Sequence, residues 1–194
     1  MDFRFTTVAH PQDVDLILAL QAENHRDHVD AVTAASEGFT SVRHDPEVLQ
    51  AMNRAHPSAV AWSGDRLAGY CLMMAQEFRD QVPVLQPMFA LLERLHWRGE
   101  ALAGNPRWFV MGQVCVARDF RGMGVFDGLY QELRRAYSGT FDFTVTEVSQ
   151  RNPRSLRAHR RVGFKTLHAY PDPLTGEGWE VVVWDWRVET MPSS

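Results

Sequence analysis

The chain has 194 residues, 45% of them hydrophobic and 23% charged, with a formal net charge of −4. That is the balance of a globular chain long enough to bury a full core, and its slight acidity weighs against nucleic acid as the main partner. The longest apolar runs, such as Phe89–Leu92 and Val181–Trp184, fall far short of the ~20 residues a spanning helix needs, which excludes a transmembrane protein, and no membrane partner is expected. Met1–His10 has no basic cluster followed by an apolar stretch, so no secretory leader is expected. Phe3–Val8 alternates apolar and polar residues, which predicts a first strand. Pro11 opens a helix with Val14, Ile17, Leu18 and Gln21 along one face. Val48, Leu49 and Met52 recur at helical spacing and predict a helix over Asp45–Ala55. Ala59–Trp62, the turn Ser63-Gly64-Asp65 and Arg66–Met74 read as a β-hairpin.

A longer excursion follows over Ala75–Pro106. Within it, Met88, Leu91, Leu92 and Leu95 predict an amphipathic helix over Pro87–Trp97 that ends before Gly99. Trp108–Val116 is strongly β-prone. Gly122–Tyr137 is helical, with Val125, Phe126, Leu129, Leu133 and Ala136 facing inward. Phe141–Val148 reads as a strand, Pro153–Val162 as a short helix stopped by Gly163, and Phe164–Tyr170 and Trp179–Trp186 as closing strands around the turn Pro171–Gly178. This mixture predicts an α/β protein of the α+β type with a partly antiparallel sheet. Residues 1–188 form one expected domain, and Glu189–Ser194 a loose tail.

The stretch most informative for chemistry is Val114-Cys-Val-Ala-Arg-Asp-Phe-Arg-Gly-Met-Gly-Val-Phe126, in which a strand ends in a basic, glycine-containing turn and a helix begins. Gly122 and Gly124 allow a sharp turn and a close approach of the backbone to a ligand. Unsatisfied N–H groups and the positive end of the helix dipole then form a phosphate cradle, with Arg118 and Arg121 available for charge-assisted bonds. Taken alone, the same residues read equally well as a tight turn with two solvated arginines. About thirty residues on, Asn152-Pro153 starts a helix on which Ser155 and His159 share a face, and Gly163-Phe164 leads into a strand.

The pair of segments resembles the Gcn5-related N-acetyltransferase (GNAT) superfamily. Its acetyl-CoA motif, Arg/Gln-x-x-Gly-x-Gly/Ala, is preceded by a strand ending in Val and followed by Asn-x-x-Ala/Ser-x-x-x-Tyr-x-x-x-Gly-Phe. Val116, Arg121, Gly124, Asn152, Ser155, Gly163 and Phe164 occupy the corresponding positions. Two positions depart from it: the last small residue of the first motif is Phe126, and the tyrosine of the second is His159.

The resemblance implies the GNAT acyl-CoA N-acyltransferase fold, with a mixed, mostly antiparallel sheet splayed into a V and flanked by helices. It implies acetyl-CoA as co-substrate and no metal. Val114, Cys115 and Val116 would hydrogen-bond the pantetheine arm, and Arg121, Gly122, Met123, Gly124, Val125 and Phe126 would hold the pyrophosphate. Asn152 and Ser155 would lie along the pantetheine. The reaction would be acyl transfer to an amine, with proximity supplying much of the rate and a backbone N–H of the Val114 strand meeting the oxyanion. His159 stands where the family tyrosine protonates the departing thiolate; otherwise it is a helix-face histidine bonded to solvent or a carbonyl. Glu147 stands where one branch, acting on ribosomal-protein N-termini, has a general base; otherwise it is a polar strand-end residue. Glu23 is a further candidate. The acceptor would be a small-molecule amine or amino-acid-like compound, with room for a homodimer. A non-catalytic acyl-CoA-binding or sensing module is the alternative.

Other features carry less chemistry. Arg151, Arg154, Arg157, Arg160 and Arg161 read mainly as a solvated helix face, of which one or two could meet the CoA phosphates. His25, His28 and Asp30 suggest a metal site, but no further ligand set accompanies them; a variable acceptor-binding loop is the reading the resemblance implies there. Cys71 and Cys115 form no ligand pair or disulfide pattern and fit a cytoplasmic protein, and Cys115 reads as a small buried residue.

Overall fold

A computed structural model describes residues 2–25, 42–173 and 175–187. Its strands are β1 (Arg4–Thr7), β2 (Ala59–Ser63), β3 (Arg66–Met74), β4 (His96–Trp97), β5 (Glu100–Ala101), β6 (Trp108–Val116), β7 (Phe143–Ser149), β8 (Lys165–Pro171) and β9 (Gly178–Asp185). Its α-helices are α1 (Pro11–Glu23), α2 (Pro46–Ala55), α3 (Gln86–Leu92), α4 (Val125–Tyr137) and α5 (Pro153–Val162). Local chemistry explains several boundaries. Asp13 accepts from the amides of Ala9 and His10 ahead of α1. Asp45 caps α2 by accepting from the amides of Glu47 and Val48. Among the described residues, no helix is long and apolar enough to cross a membrane.

The main sheet has seven strands in the order β1-β2-β3-β6-β7-β9-β8. Every neighbouring pair is antiparallel except β6 with β7. That parallel pair is short: Trp108 faces Phe143, Phe109 faces Thr144 and Val110 faces Val145, and there the pairing ends, although β6 runs on to Val116 and β7 to Ser149. The strands part beside a β-bulge. On β3, Cys71 faces Val114 while Met73 faces Met111, so β6 carries an extra residue where the split opens. A bulge bends and twists its strand, which turns β6 away from β7. The expected V-shaped sheet is present, and its opening lies between β6 and β7.

Helix α4 packs over β1, β2 and β3 and reaches α5. Gly128 is required there: a Cβ at this position would lie 2.1 Å from the Phe5 ring. The buried face of α4 holds Val125, Leu129 and Leu133 as expected, together with Tyr130 and Tyr137. Ala136, expected inside, is exposed, and Phe126 is half-buried. The helix starts at Val125 rather than Gly122 because Gly122 and Gly124 take φ values of 77° and 82°, outside the right-handed helical region.

The 75–106 excursion differs more. The expected helix over Pro87–Trp97 ends at Leu92, and His96–Trp97 pairs with Glu100–Ala101 in a small hairpin. Arg98 and Gly99 take positive φ at its turn. The hairpin is tied to the main sheet: Trp97 Nε1 donates to Asp185 at 2.7 Å, and Arg98 pairs with the same carboxylate at 3.1 Å. Tertiary bonds thus override a helical repeat that local spacing alone would continue. The closing strands are each displaced by one residue from expectation. The expected tail 189–194, and the segment holding His28 and Asp30, lie outside the described residues.

Candidate active site

The split in the sheet opens into a cleft of about 480 Å³, within the range of small-ligand sites. One wall is the end of β6 and the start of α4; the other is α5, from its cap Asn152 to Arg161. All the residues expected to bind CoA line it, from Val114, Cys115 and Val116 through Arg121, Gly122, Gly124, Val125 and Phe126 to Asn152 and Ser155, with the exception of Met123. The Met123 side chain is exposed to solvent, so only its backbone can serve the site.

Gly124 is the N-cap of α4 and supplies no side-chain hydrogen bond. Among the described residues, none of the amides of Gly122 to Asp127 donates to a protein acceptor; the first bond of this turn runs from Gly128 N to Gly124 O at 3.0 Å. A row of unused N–H groups at a helix start, with the positive end of the dipole behind them, attracts an anion. A Cβ at Gly122 or Gly124 would meet nothing within 4 Å, so the surface above the turn is open. Among the described residues, the edge of β6 beyond Val110 also lacks a strand partner on the β7 side, leaving backbone for an extended ligand to pair with.

Phe126, the bulky departure from the motif, does not block the turn. Its ring packs 5.0 Å from Tyr130 and 5.3 Å from His159, between the helices, while its amide has no acceptor among the described residues. Arg121 is tied to the cleft floor, where Nε donates to Val116 O at 3.1 Å and a terminal nitrogen donates to Asn24 Oδ1 at 2.5 Å. Its charge therefore stays at the site on a fixed side chain. Asn152 accepts from Ser155 N at 3.1 Å and caps α5.

His159 lies elsewhere than the resemblance implies, and the expectation of a thiolate-facing acid is corrected. Its side chain is buried between α4 and α5, packed against Phe126, Tyr130 and Phe164, and does not line the cleft. Nδ1 donates to Ser155 O at 2.8 Å, which leaves Nε2 to accept from the Tyr130 hydroxyl at 2.7 Å. Burial lowers its pKa to about 4, so the ring is neutral and both nitrogens are occupied. Ser155 Oγ lies 3.2 Å from Nδ1, so the expected shared face exists, with Ser155 at the cleft and His159 buried behind it.

Glu147 sits on β7 beyond the last residue paired with β6 and is not among the residues that line the cleft. Tyr170 donates to its Oε1 at 2.7 Å. Burial, with a smaller contribution from the nearby Asp172, raises the carboxyl to about 7 against the opposing effect of the Tyr170 bond. Such a group exchanges a proton near neutral pH, as a general base must. Glu23, at the end of α1, is exposed and close enough to Cys115 to act on it electrostatically. The Cys115 thiol is buried and pushed up to about 12, which makes it a poor nucleophile.

Some residues at the site have no sequence signal. Asn24 meets Arg121 across 97 positions of sequence. Beside the β6 bulge, Gln113 joins a buried network: its Oε1 accepts from Gln21 at 2.7 Å and from Tyr70 at 2.6 Å, and its Nε2 donates to Val42 O at 3.0 Å. Gln21 also bonds His44 Nδ1 at 2.9 Å. His25, from the segment weighed and set aside as a metal site, is buried with Nδ1 at 3.4 Å from an Arg43 nitrogen. The described residues contain no group of three or more ligating side chains that could hold a metal.

No protein-family model matches the sequence, and no curated protein matches it significantly. Solved structures do match. The chain aligns with yncA of Salmonella typhimurium, solved with its cofactor acetyl-CoA, at 13% identity and a TM-score of 0.62, over 99% of this chain and 98% of that one. It aligns with a GNAT-family acetyltransferase of Streptococcus agalactiae at 14% identity and a TM-score of 0.64, over 96% of each chain. The ribosomal-protein-S18-alanine N-acetyltransferase of Escherichia coli aligns at 10% identity and a TM-score of 0.60, over 98% of this chain and 99% of that one. The alignments run along nearly the whole length of both chains, and this chain has the GNAT acyltransferase fold.

Proposed function

We propose that this protein transfers an acetyl group from acetyl-CoA to a primary amine, and that a small or amino-acid-like amine is the acceptor. The observation that carries the reading is the row of unused amides from Gly122 to Asp127 at the mouth of the sheet split. These amides would hold the diphosphate, with Arg121 adding fixed positive charge and the free β6 edge pairing with the pantetheine arm. Acetyl-CoA supplies the activated acyl thioester. Glu147 takes the proton that the amine must lose, and Tyr170 holds that carboxylate in place at 2.7 Å. Two buried thiols fit a reducing compartment, and we place the protein in the cytoplasm, with residues 1–188 acting as one domain.

The interior position of His159 favours a second reading, a non-catalytic acyl-CoA-binding module, because the residue at the family's acid position is withdrawn from the cleft. Calorimetry with CoA, followed by thiol release from acetyl-CoA over a panel of primary amines, tests both. Micromolar CoA binding with amine-dependent thiol release is the expected result. Binding without release for any amine selects the binding module, and absence of CoA binding removes both.

A further inference from the structure

Five arginines crowd α5 and the two residues before it, but they are not equivalent. Arg160 pairs with Glu180 on β9 at 3.0 Å. Arg161 crosses the cleft to Asp127 on α4: its Nε lies 3.2 and 3.1 Å from the two carboxylate oxygens, and a terminal nitrogen lies 2.9 Å from Oδ1. Both partners of this pair line the cleft. Asp127 is the third residue of α4, in the turn whose amides are unused. An acid there suits the helix dipole when the helix stands alone. It is misplaced once an anion is to sit on the same amides, because two negative charges would then share one helix end.

We propose that Arg161 is a positioning residue for the anion site, masking the Asp127 carboxylate and so keeping the start of α4 net attractive to a diphosphate. The inference rests on the CoA-binding reading of this cleft. It assigns Arg161 a role through Asp127 rather than by contact with the ligand. The pair also fastens the start of α4 to α5, so masking the charge and setting the width of the cleft are achieved by one contact. The side chains keep 58% and 42% of their exposure, which makes the pair weak as a source of stability but leaves its local charge balance intact.

CoA affinity, measured by calorimetry on four forms of the full chain, tests this. Arg161→Gln should weaken CoA binding about fivefold at low ionic strength, with the loss shrinking as salt is added. Asp127→Asn alone should bind CoA as tightly as the wild type or more tightly. The double variant should return to within about twofold of the wild type, since the charge that needed masking is gone. Arg161→Lys, which keeps the charge, should keep most of the affinity, and thermal melting without CoA should show all variants folded. A double variant as weak as Arg161→Gln would overturn the inference in favour of direct phosphate contact, and an unchanged Arg161→Gln would overturn it outright. Failure of the wild type to bind CoA would instead remove the functional reading on which the inference rests.

Discussion

Helices α4 and α5 both begin at the mouth of the split sheet, yet their first turns are satisfied in different ways. The α5 start is closed by its own sequence: Asn152 accepts from Ser155 N, and Pro153 contributes no N–H. The α4 start is open: Gly124, at φ 82°, offers no side chain, and among the described residues the amides behind it have no protein acceptor. A helix end left bare in a compact protein is costly unless water or a ligand completes it. The contrast therefore separates the end that serves stability from the end that serves binding, although both line one cleft.

The most severe way to break this contrast is to give the open end a carboxylate. Gly124→Glu should reduce CoA affinity by more than about 100-fold, because a negative side chain would face the diphosphate and the positive φ would be strained. A circular-dichroism melt should still show a folded protein, and unchanged affinity by calorimetry would contradict the placement. Next in size, Glu147→Gln should lower turnover roughly 100-fold while sparing CoA affinity. In the wild type, the rate should climb with pH through about 7, where the Glu147 carboxyl ionises. A flat profile between pH 6 and about 8, or a fully active variant, would remove Glu147 as base.

A third test concerns the closed side. The pKa values of His159 and His44 are lowered by burial to about 4, below the ordinary histidine value near 6.5. The stability each contributes is fully present above pH 6.5 and is lost as pH falls toward about 4, by up to about 1.4 kcal/mol per pH unit for each. Denaturant titrations at pH 7 and about pH 5 should show the drop, and His159→Gln should lessen it while leaving turnover at saturating substrate near the wild-type value. The mildest test is Asn152→Ala. Removal of the α5 cap should cost about 1 kcal/mol in chemical denaturation and weaken CoA binding by only a few-fold. An affinity loss as large as that of Gly124→Glu would erase the distinction between the two helix starts.

Much of this arrangement was legible in the sequence wherever it depends on neighbours in the chain. Asn152-Pro153 marks a helix start because the amide caps its own first turn, and the helix begins there. Trp108–Val116 and Pro153–Val162 have the bounds read from their β-propensity and capping. The glycine turn at 122–124 is also local, and its open amides follow from the absence of side chains that could cap them. The hairpin at His96–Ala101 was not legible, because its bonds to Asp185 reach across the fold. Nor was the Asn24–Arg121 contact, for the same reason.

His159 shows where the boundary lies. Its spacing from Ser155 determined that the two share a helix face, because the period of an α-helix is set by backbone geometry. Which way that face looks was decided only when α5 packed on α4, since the Tyr130 hydroxyl, 29 positions away, needed a buried acceptor and the imidazole supplied it. By itself the sequence determined the elements, their caps and the bare glycine turn, all products of forces that act within a few residues. The tertiary structure decided the split between β6 and β7, the Arg161–Asp127 pair and the inward turn of His159, because each depends on contacts whose partners are brought together only by folding.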